Sequence, residues 1–88
     1  MNKLSKIDVT DLLVTNKSIV GLKQVMKMLS EQKLQFVILA EDADEYLKNQ
    51  IYSACASHNV KIVYYESRKE LGSLSGITVS AAVIGIIK

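Results

Sequence analysis

The segment from Gly21 to Lys27 (GLKQVMK) carries the side chains with the clearest binding chemistry in this sequence. Helical spacing would put Lys23, Gln24 and Lys27 on the exposed side of a helix that begins at Leu22. A lysine in the first turn opposes the helix dipole by about 0.3–1 kcal/mol, and a second lysine one turn later adds repulsion. A bound anion would offset both costs, and the Gln24 amide can hydrogen-bond to phosphates and base edges. The segment therefore indicates anion or nucleic-acid binding. A solvated helix face is the alternative, which the charge pattern alone favours.

Positive charge is concentrated around this segment. Residues 17–33 contain four lysines, Lys17, Lys23, Lys27 and Lys33, against the single Glu31, a local excess of three in a chain whose net charge is +2. The total charge is too small to indicate a nucleic-acid binder, so the distribution is the informative quantity.

Two further segments carry candidate contacts. Ile77, Thr78 and Val79 follow Gly76, so apolar residues stand where a polar turn is expected. They either begin a strand or form an apolar loop tip that could pack on splayed bases. Arg68 and Lys69 lie at a predicted helix start, and either contact phosphates or are ordinary surface charges.

The sequence gives little support for nucleophilic catalysis or metal binding. Cys55 and His58 are three residues apart on one predicted helix, but Cys55 belongs to its apolar face and nothing orients a base toward it. A short acidic run lacks the spacing of a calcium loop and is better explained as a stabilised helix start. It consists of Glu41, Asp42, Asp44 and Glu45. We predict no catalytic residue, no metal site and no cofactor.

Length and composition indicate one small globular domain over residues 1–88, since 49% of the residues are hydrophobic and 23% charged. One cysteine excludes an internal disulfide and fits a reducing compartment. The N-terminus lacks the apolar run of a secretion signal, and the segment 79–87 is too short to span a bilayer. We therefore expect a cytoplasmic monomer that does not contact membranes.

Hydrophobic periodicity predicts alternating helices and strands, with helices on both faces of the sheet. The fold class is α/β, a three-layer α/β/α sandwich with a small mixed four-stranded sheet. In order, we expect a helix around Leu4–Leu13, an extended segment Lys17–Val20, a helix from Leu22, a strand Leu34–Ala40, a helix capped by Asp42 or Asp44, a strand Lys61–Tyr65, a short helix from Ser67 to about Leu74, and a strand Ala81–Ile87. Gly72 and Gly76 are expected to mark turns.

Four segments resemble the ribosomal protein L7Ae family, in the family's order and spacing, from about Lys17 to Lys88. They are Gly21–Lys27 (GLKQVMK), Ile38–Asp44 (ILAEDAD), Glu66–Gly72 (ESRKELG) and Gly76–Val79 (GITV). Each is weak alone, but four in register are fairly specific. The similarity is greatest to short bacterial members described as ribosomal-protein-like kink-turn binders.

The resemblance implies binding to kink-turn or kink-loop RNA, a sharply bent internal loop built on tandem sheared G·A pairs. The helix that begins at Leu22 would enter the widened major groove, and Gly21 would let the backbone approach the RNA. The resemblance puts Gln24 at the position of the guanine reader, Lys23 and Lys27 at neighbouring base and phosphate contacts, and Ile77, Thr78 and Val79 on the loop that covers extruded bases.

Lys23 and Gln24 replace the Asn-Glu pair of archaeal and eukaryotic members. A neutral amide is a weaker acceptor for a guanine edge than a carboxylate, since hydrogen bonds to charged groups contribute about 1.5–3 kcal/mol against about 1 kcal/mol for neutral ones. The added cation makes binding more dependent on salt. The Lys-Gln pair is typical of the bacterial branch.

The sequence therefore predicts a non-enzymatic, structured-RNA-binding protein associated with the ribosome, with ribosomal RNA as a candidate partner. The alternative is a protein-interaction module of the ribosome with little RNA affinity of its own. The low net charge and the apolar Ile77 and Val79 motivate that alternative.

Overall fold

The computed structural model describes residues 3–76 and 80–88. Helices and strands alternate in the predicted order. They are α1 (Lys6–Thr15), β1 (Ser18–Val20), α2 (Leu22–Ser30), β2 (Leu34–Ala40), α3 (Glu45–His58), β3 (Lys61–Tyr65), α4 (Arg68–Leu74) and β4 (Val83–Ile87). No helix in these two ranges is long and apolar enough to cross a membrane.

The four strands form one mixed sheet in the order β1-β4-β2-β3. β4 runs antiparallel to both of its neighbours, whereas β2 and β3 are parallel and are joined by α3. As a result, the carboxyl ends of β1, β2 and β3 and the start of β4 meet at one end of the sheet. We call this end the carboxyl edge. The connections that begin α2, α3 and α4 all leave from it.

The core covers both faces of the sheet. Val37, Ile38, Leu39 and Ala40 are consecutive in β2 and all fully buried, although alternate strand residues point to opposite faces. α2 packs beside α3, and α1 packs against α4. The predicted three-layer α/β/α sandwich with a mixed four-stranded sheet is confirmed.

Local sequence explains where three of the helices begin. Ser5 caps α1 in a reciprocal pair with Asp8, Asp44 accepts a hydrogen bond from the Leu47 amide at the start of α3, and Ser67 accepts one from the Glu70 amide at the start of α4. Each side chain satisfies an amide that has no partner within its helix.

Three expectations were wrong in detail. Gly72 does not mark a turn; it is buried inside α4, where its carbonyl accepts a hydrogen bond from the Ser75 amide, and the turn comes at Gly76 with φ of +80°. β4 begins at Val83 rather than Ala81, because the Ala81 amide donates to the Arg68 carbonyl at the start of α4. Asp42 does not cap α3, because its carboxylate accepts from the Arg68 amide at 2.8 Å.

Gly85 lies against the terminal methyl groups of two side chains, which would have to shift to admit a larger residue. A Cβ built there would be 2.9 Å from Leu34 Cδ1 and 3.0 Å from Ile19 Cδ1. We therefore expect Gly85→Ala to destabilise the fold by about 1–3 kcal/mol through overpacking, measured by urea unfolding. Leu34→Val should cost less in the Gly85→Ala background than in the parent. Equal costs in the two backgrounds would contradict this account.

Candidate functional site

The start of α2 is built on a backbone conformation that favours glycine. Gly21 has φ of +103° and ψ of 154°, which is accessible to glycine at little cost. Its amide donates to the Val83 carbonyl at 3.0 Å, so the start of α2 is tied directly to the start of β4. This bond fixes Leu22, the first residue of α2, at the carboxyl edge.

Lys23, Gln24 and Lys27 are exposed on α2, as the sequence predicts. Within residues 3–76 and 80–88, none of the three side chains forms an ion pair or a hydrogen bond. No described side chain caps the helix, and its first turn contains no acid. Val25 and Leu29 are buried on the opposite side, which orients the helix. The structure therefore brings two cations and one amide together at a helix start, and no described side chain pairs with them or caps the helix.

The other two lysines of the predicted cluster lie elsewhere. Lys17 precedes β1 and Lys33 precedes β2, so both lie at the end of the sheet opposite the carboxyl edge. Their carbonyls accept from the amides of Ile87 and Lys88, and Lys33 also pairs with Glu31 at 3.1 Å. The local excess of three charges is thus divided between two ends of the molecule, and only Lys23 and Lys27 remain at the candidate site.

Arg68 and Lys69 are exposed at the same edge, at the start of α4. The Arg68 carbonyl accepts from the Ala81 amide at 2.9 Å, two residues before Val83, which bonds to Gly21. The two helix starts are therefore joined through residues 81–83. At the start of α4, however, the Arg68 amide already donates a hydrogen bond to the Asp42 carboxylate.

Acidic residues surround the β2 and β3 ends of the carboxyl edge. They are Glu41, Asp42, Asp44, Glu45 and Glu66. Lys3 offsets part of this charge through contacts of 3.2 Å to Glu41 and 4.0 Å to Glu66. The edge is thus cationic beside α2, largely anionic beside β2, and mixed beside β3, where Glu66 is followed by Arg68 and Lys69. The sequence expectation treated the acids only as a helix start and missed this division, because the strand order was unknown.

The other residues considered in the sequence analysis are residues 77–79, Cys55 and the possible metal ligands. Ile77, Thr78 and Val79 lie outside the described residues. Burial raises the pKa of the Cys55 thiol to about 11, so this side chain stays a protonated core residue at neutral pH. In the part of the chain that the structure describes, no three His, Cys, Asp or Glu side chains are grouped to hold a metal ion.

One residue that the sequence pattern does not single out is Tyr46. Its side chain is 73% exposed in the first turn of α3, at the carboxyl edge. Its exposure could have been predicted from the sequence, because Tyr46 lies outside the apolar helix face formed by Leu47, Ile51 and Cys55.

Residues 5–88 match the model of the Ribosomal protein L7Ae/L30e/S12e/Gadd45 family. The chain belongs to this family. An RNA-binding protein of Caldanaerobacter subterraneus is 42% identical over 66 residues, covering 75% of this chain and 80% of the relative. An RNA-binding protein of Staphylococcus aureus is 33% identical over 70 residues, covering 80% and 83%.

Solved structures share the fold. The 15.5kD RNA-binding protein of Giardia lamblia superposes with a TM-score of 0.77 at 26% identity, covering 91% of this chain and 68% of that chain. A Bacillus halodurans protein of unknown function superposes with a TM-score of 0.80 at 24% identity, covering 91% of this chain and 80% of that chain. The predicted family resemblance is confirmed.

The φ of Gly21 makes this position sensitive to an L side chain. Because no atom of residues 3–76 or 80–88 lies within 4 Å of a Cβ built there, Gly21→Ala should act through backbone strain, at a cost of about 1–3 kcal/mol. Chemical denaturation measures the cost. D-alanine at the same position, introduced by chemical synthesis, should restore most of the lost stability because it favours positive φ. If L- and D-alanine are equally destabilising, the cause is not the backbone conformation.

Proposed function

We propose that this protein binds RNA through Gly21, Leu22, Lys23, Gln24 and Lys27, and that its target is a kink-turn or kink-loop. The observation that carries the proposal is the pair of lysines, with Gln24 between them, at a helix start where no described side chain pairs with them or caps the helix. This arrangement supplies two cations and a side-chain amide on one exposed helix turn. Two relatives named as RNA-binding proteins support RNA as the ligand class.

A kinked RNA suits this geometry better than a regular duplex. The major groove of A-form RNA is deep and too narrow for side chains to read, so a helix needs a site where the groove is widened. A sharply bent internal loop provides such a site. With α2 in the groove, Lys23 and Lys27 contact phosphates, while Gln24 hydrogen-bonds to a guanine edge.

Further contacts complete the proposed interface. Arg68 and Lys69 reach phosphates with their side chains, since the Arg68 amide is already bonded to Asp42. Ile77, Thr78 and Val79 cover the extruded bases. One monomer binds each kink. We take ribosomal RNA in the cytoplasm as the candidate cellular target, because the family description is one of ribosomal proteins.

Removing both α2 cations should weaken binding at every salt concentration. For Lys23→Ala/Lys27→Ala, the slope of log affinity against log salt should fall by about two, because each phosphate contact releases about one counterion. The measurement is anisotropy titration of a kink-turn RNA labelled at both stem ends, with energy transfer to report bending.

Lys17→Ala/Lys61→Ala is the matched control. It removes the same charge from exposed residues at the opposite end of the sheet, where β1 and β3 begin. Its salt slope should stay close to that of the parent. Equal losses in the two double variants would refute a localised site. Absence of parent binding to any kinked RNA would refute the proposal and leave the protein-interaction module as the better explanation.

Gln24 is expected to govern selectivity more than affinity for phosphate. Gln24→Ala should reduce the preference for the kink-turn RNA over an RNA lacking the sheared G·A pairs by about tenfold, since a specific base contact contributes roughly 1–3 kcal/mol of discrimination. Competition binding of the two RNAs measures this ratio. An unchanged ratio would remove Gln24 from the role of base reader.

A further inference from the structure

Residues 81–83 hold three elements of the carboxyl edge together by backbone hydrogen bonds. The amide of the first residue donates to the carbonyl of Arg68, which begins α4, at 2.9 Å. The carbonyl of the second accepts from the amide of Ala40, which ends β2, at 2.8 Å. The carbonyl of the third accepts from the amide of Gly21, which precedes α2, at 3.0 Å. One three-residue segment therefore sets the spacing between the starts of α2 and α4.

Asp42 adds a side chain to this network. Its carboxylate accepts a hydrogen bond from the Arg68 amide at 2.8 Å, so the backbone of Arg68 is held on both sides. Because Asp42 follows Ala40 by two residues, three hydrogen bonds close a ring from Ala40 through Asp42 and Arg68 to residues 81–82 and back. We call it the edge ring. Two of its bonds join backbone groups, and the third is the bond of the Asp42 carboxylate, which a substitution can remove alone.

A local cap of α4 is already present without Asp42. The Ser67 hydroxyl accepts from the Glu70 amide at 3.2 Å, which is the usual local arrangement at a helix start. Asp42 instead reaches α4 from the end of β2, 26 residues before Arg68 in the chain. What its hydrogen bond adds is a fixed position of the first residue of α4 relative to the sheet.

The charge of Asp42 does not favour RNA binding. The side chain is exposed at the edge where Arg68 and Lys69 are proposed to reach phosphates, and its carboxylate repels a phosphate there. An acid at this point lowers the affinity for a polyanion unless its hydrogen bond makes a contribution that outweighs the repulsion. The position of the two cations is the property that this bond controls.

A fixed position matters for long side chains that bind a structured target. Arginine and lysine lose rotamer freedom when they bind phosphate, and anchoring their backbone beforehand lowers the total cost of ordering. The edge ring anchors Arg68, and the hydrogen bond between Gly21 and Val83 extends this anchoring to α2. Because the phosphates of a folded RNA lie at set distances, a fixed distance between α2 and Arg68 lets both groups of contacts form together.

We propose that Asp42 is a positioning residue for RNA binding, whose carboxylate holds the start of α4 so that Arg68 and Lys69 reach phosphates while α2 occupies the widened groove. Asp42 itself does not contact the RNA. This inference rests on the proposed function and adds to it the residue that sets the distance between its two groups of cations.

Asp42→Ala and Asp42→Asn separate the hydrogen bond from the charge. Both remove the negative charge, but the asparagine side-chain oxygen still accepts from the Arg68 amide. In anisotropy titration of the doubly labelled kink-turn RNA, Asp42→Asn should bind at least as tightly as the parent, because a repulsive charge is lost. Asp42→Ala should bind about three- to tenfold more weakly than Asp42→Asn, the range of a single hydrogen bond. Equal affinities of the two variants would refute the inference.

Asp8→Ala and Asp8→Asn are the matched control pair. The Asp8 carboxylate is exposed and accepts from the Ser5 amide at 3.1 Å at the start of α1, so alanine removes the same kind of bond. Within residues 3–76 and 80–88, no hydrogen bond joins the start of α1 to residues 81–83. The two Asp8 variants should therefore bind the RNA within about twofold of each other. A difference as large as that between the Asp42 variants would mean that any lost helix cap weakens binding, which contradicts a positioning role.

A double-mutant cycle shows whether Asp42 acts through the two cations of α4. Arg68→Ala/Lys69→Ala should weaken binding less in the Asp42→Ala background than in the Asp42→Asn background, because only the latter keeps α4 in place. Equal losses would contradict the proposal. In the free protein, the Arg68 amide should exchange hydrogen faster in Asp42→Ala than in Asp42→Asn, and equal exchange rates would count against the edge ring. Thermal unfolding checks that all variants are folded.

The two proposals fail in different ways. If the two Asp42 variants bind alike, or if Arg68→Ala/Lys69→Ala has no effect in the parent, while Lys23→Ala/Lys27→Ala weakens binding, the positioning role is refuted and the α2 site stands. If the variant that lacks both α2 lysines binds like its own control, the proposed RNA site is refuted together with the inference that rests on it.

Discussion

Burial of the sheet on both faces is the constraint on which the rest of this structure depends. Four consecutive residues of β2, from Val37 to Ala40, are fully buried, and so are Val83, Ile84 and Ile86 of β4. Strands with this pattern are stable only between two helix layers. The parallel pair β2–β3 then needs a crossover helix, which α3 provides. The starts of α2, α3 and α4 consequently gather at one edge, before any functional requirement is considered.

The helix starts at that edge are not equivalent. α3 and α4 begin with side-chain caps from Asp44 and Ser67, whereas α2 begins at Gly21 and no side chain in the described part of the structure caps it. Glycine at the N-cap is less favourable than Ser, Asp or Asn by a few tenths of a kcal/mol. The sequence thus omits a common source of helix stability at α2 and adds Lys23, which opposes the helix dipole. Local stability is lowered where the surface is most suited to an anion.

Much of the fold could be predicted because the helices and strands have clear hydrophobic patterns. Leu22, Val25 and Leu29 of α2 have helical spacing, and Leu34–Ala40 is the continuous apolar run of a buried strand. The same helical spacing predicted that Lys23, Gln24 and Lys27 would be exposed. Long-range contacts could not be predicted. Asp42 near a helix start suggests a local cap, yet its partner is the Arg68 amide, 26 residues away. Likewise, Lys17 and Lys33 are near Lys23 in sequence but lie at the opposite end of the sheet.

The division of charge along the carboxyl edge gives the protein a preferred orientation toward a polyanion. The carboxylates of Glu41, Asp42, Asp44 and Glu45 after β2 would repel a phosphate backbone that crosses this part of the edge, while the starts of α2 and α4, with their lysines and Arg68, would attract it. Discrimination of this kind acts against wrong poses and requires no additional favourable contact. A domain with a net charge of only +2 can therefore dock directionally, with little of the nonspecific adhesion that a uniformly basic surface would cause.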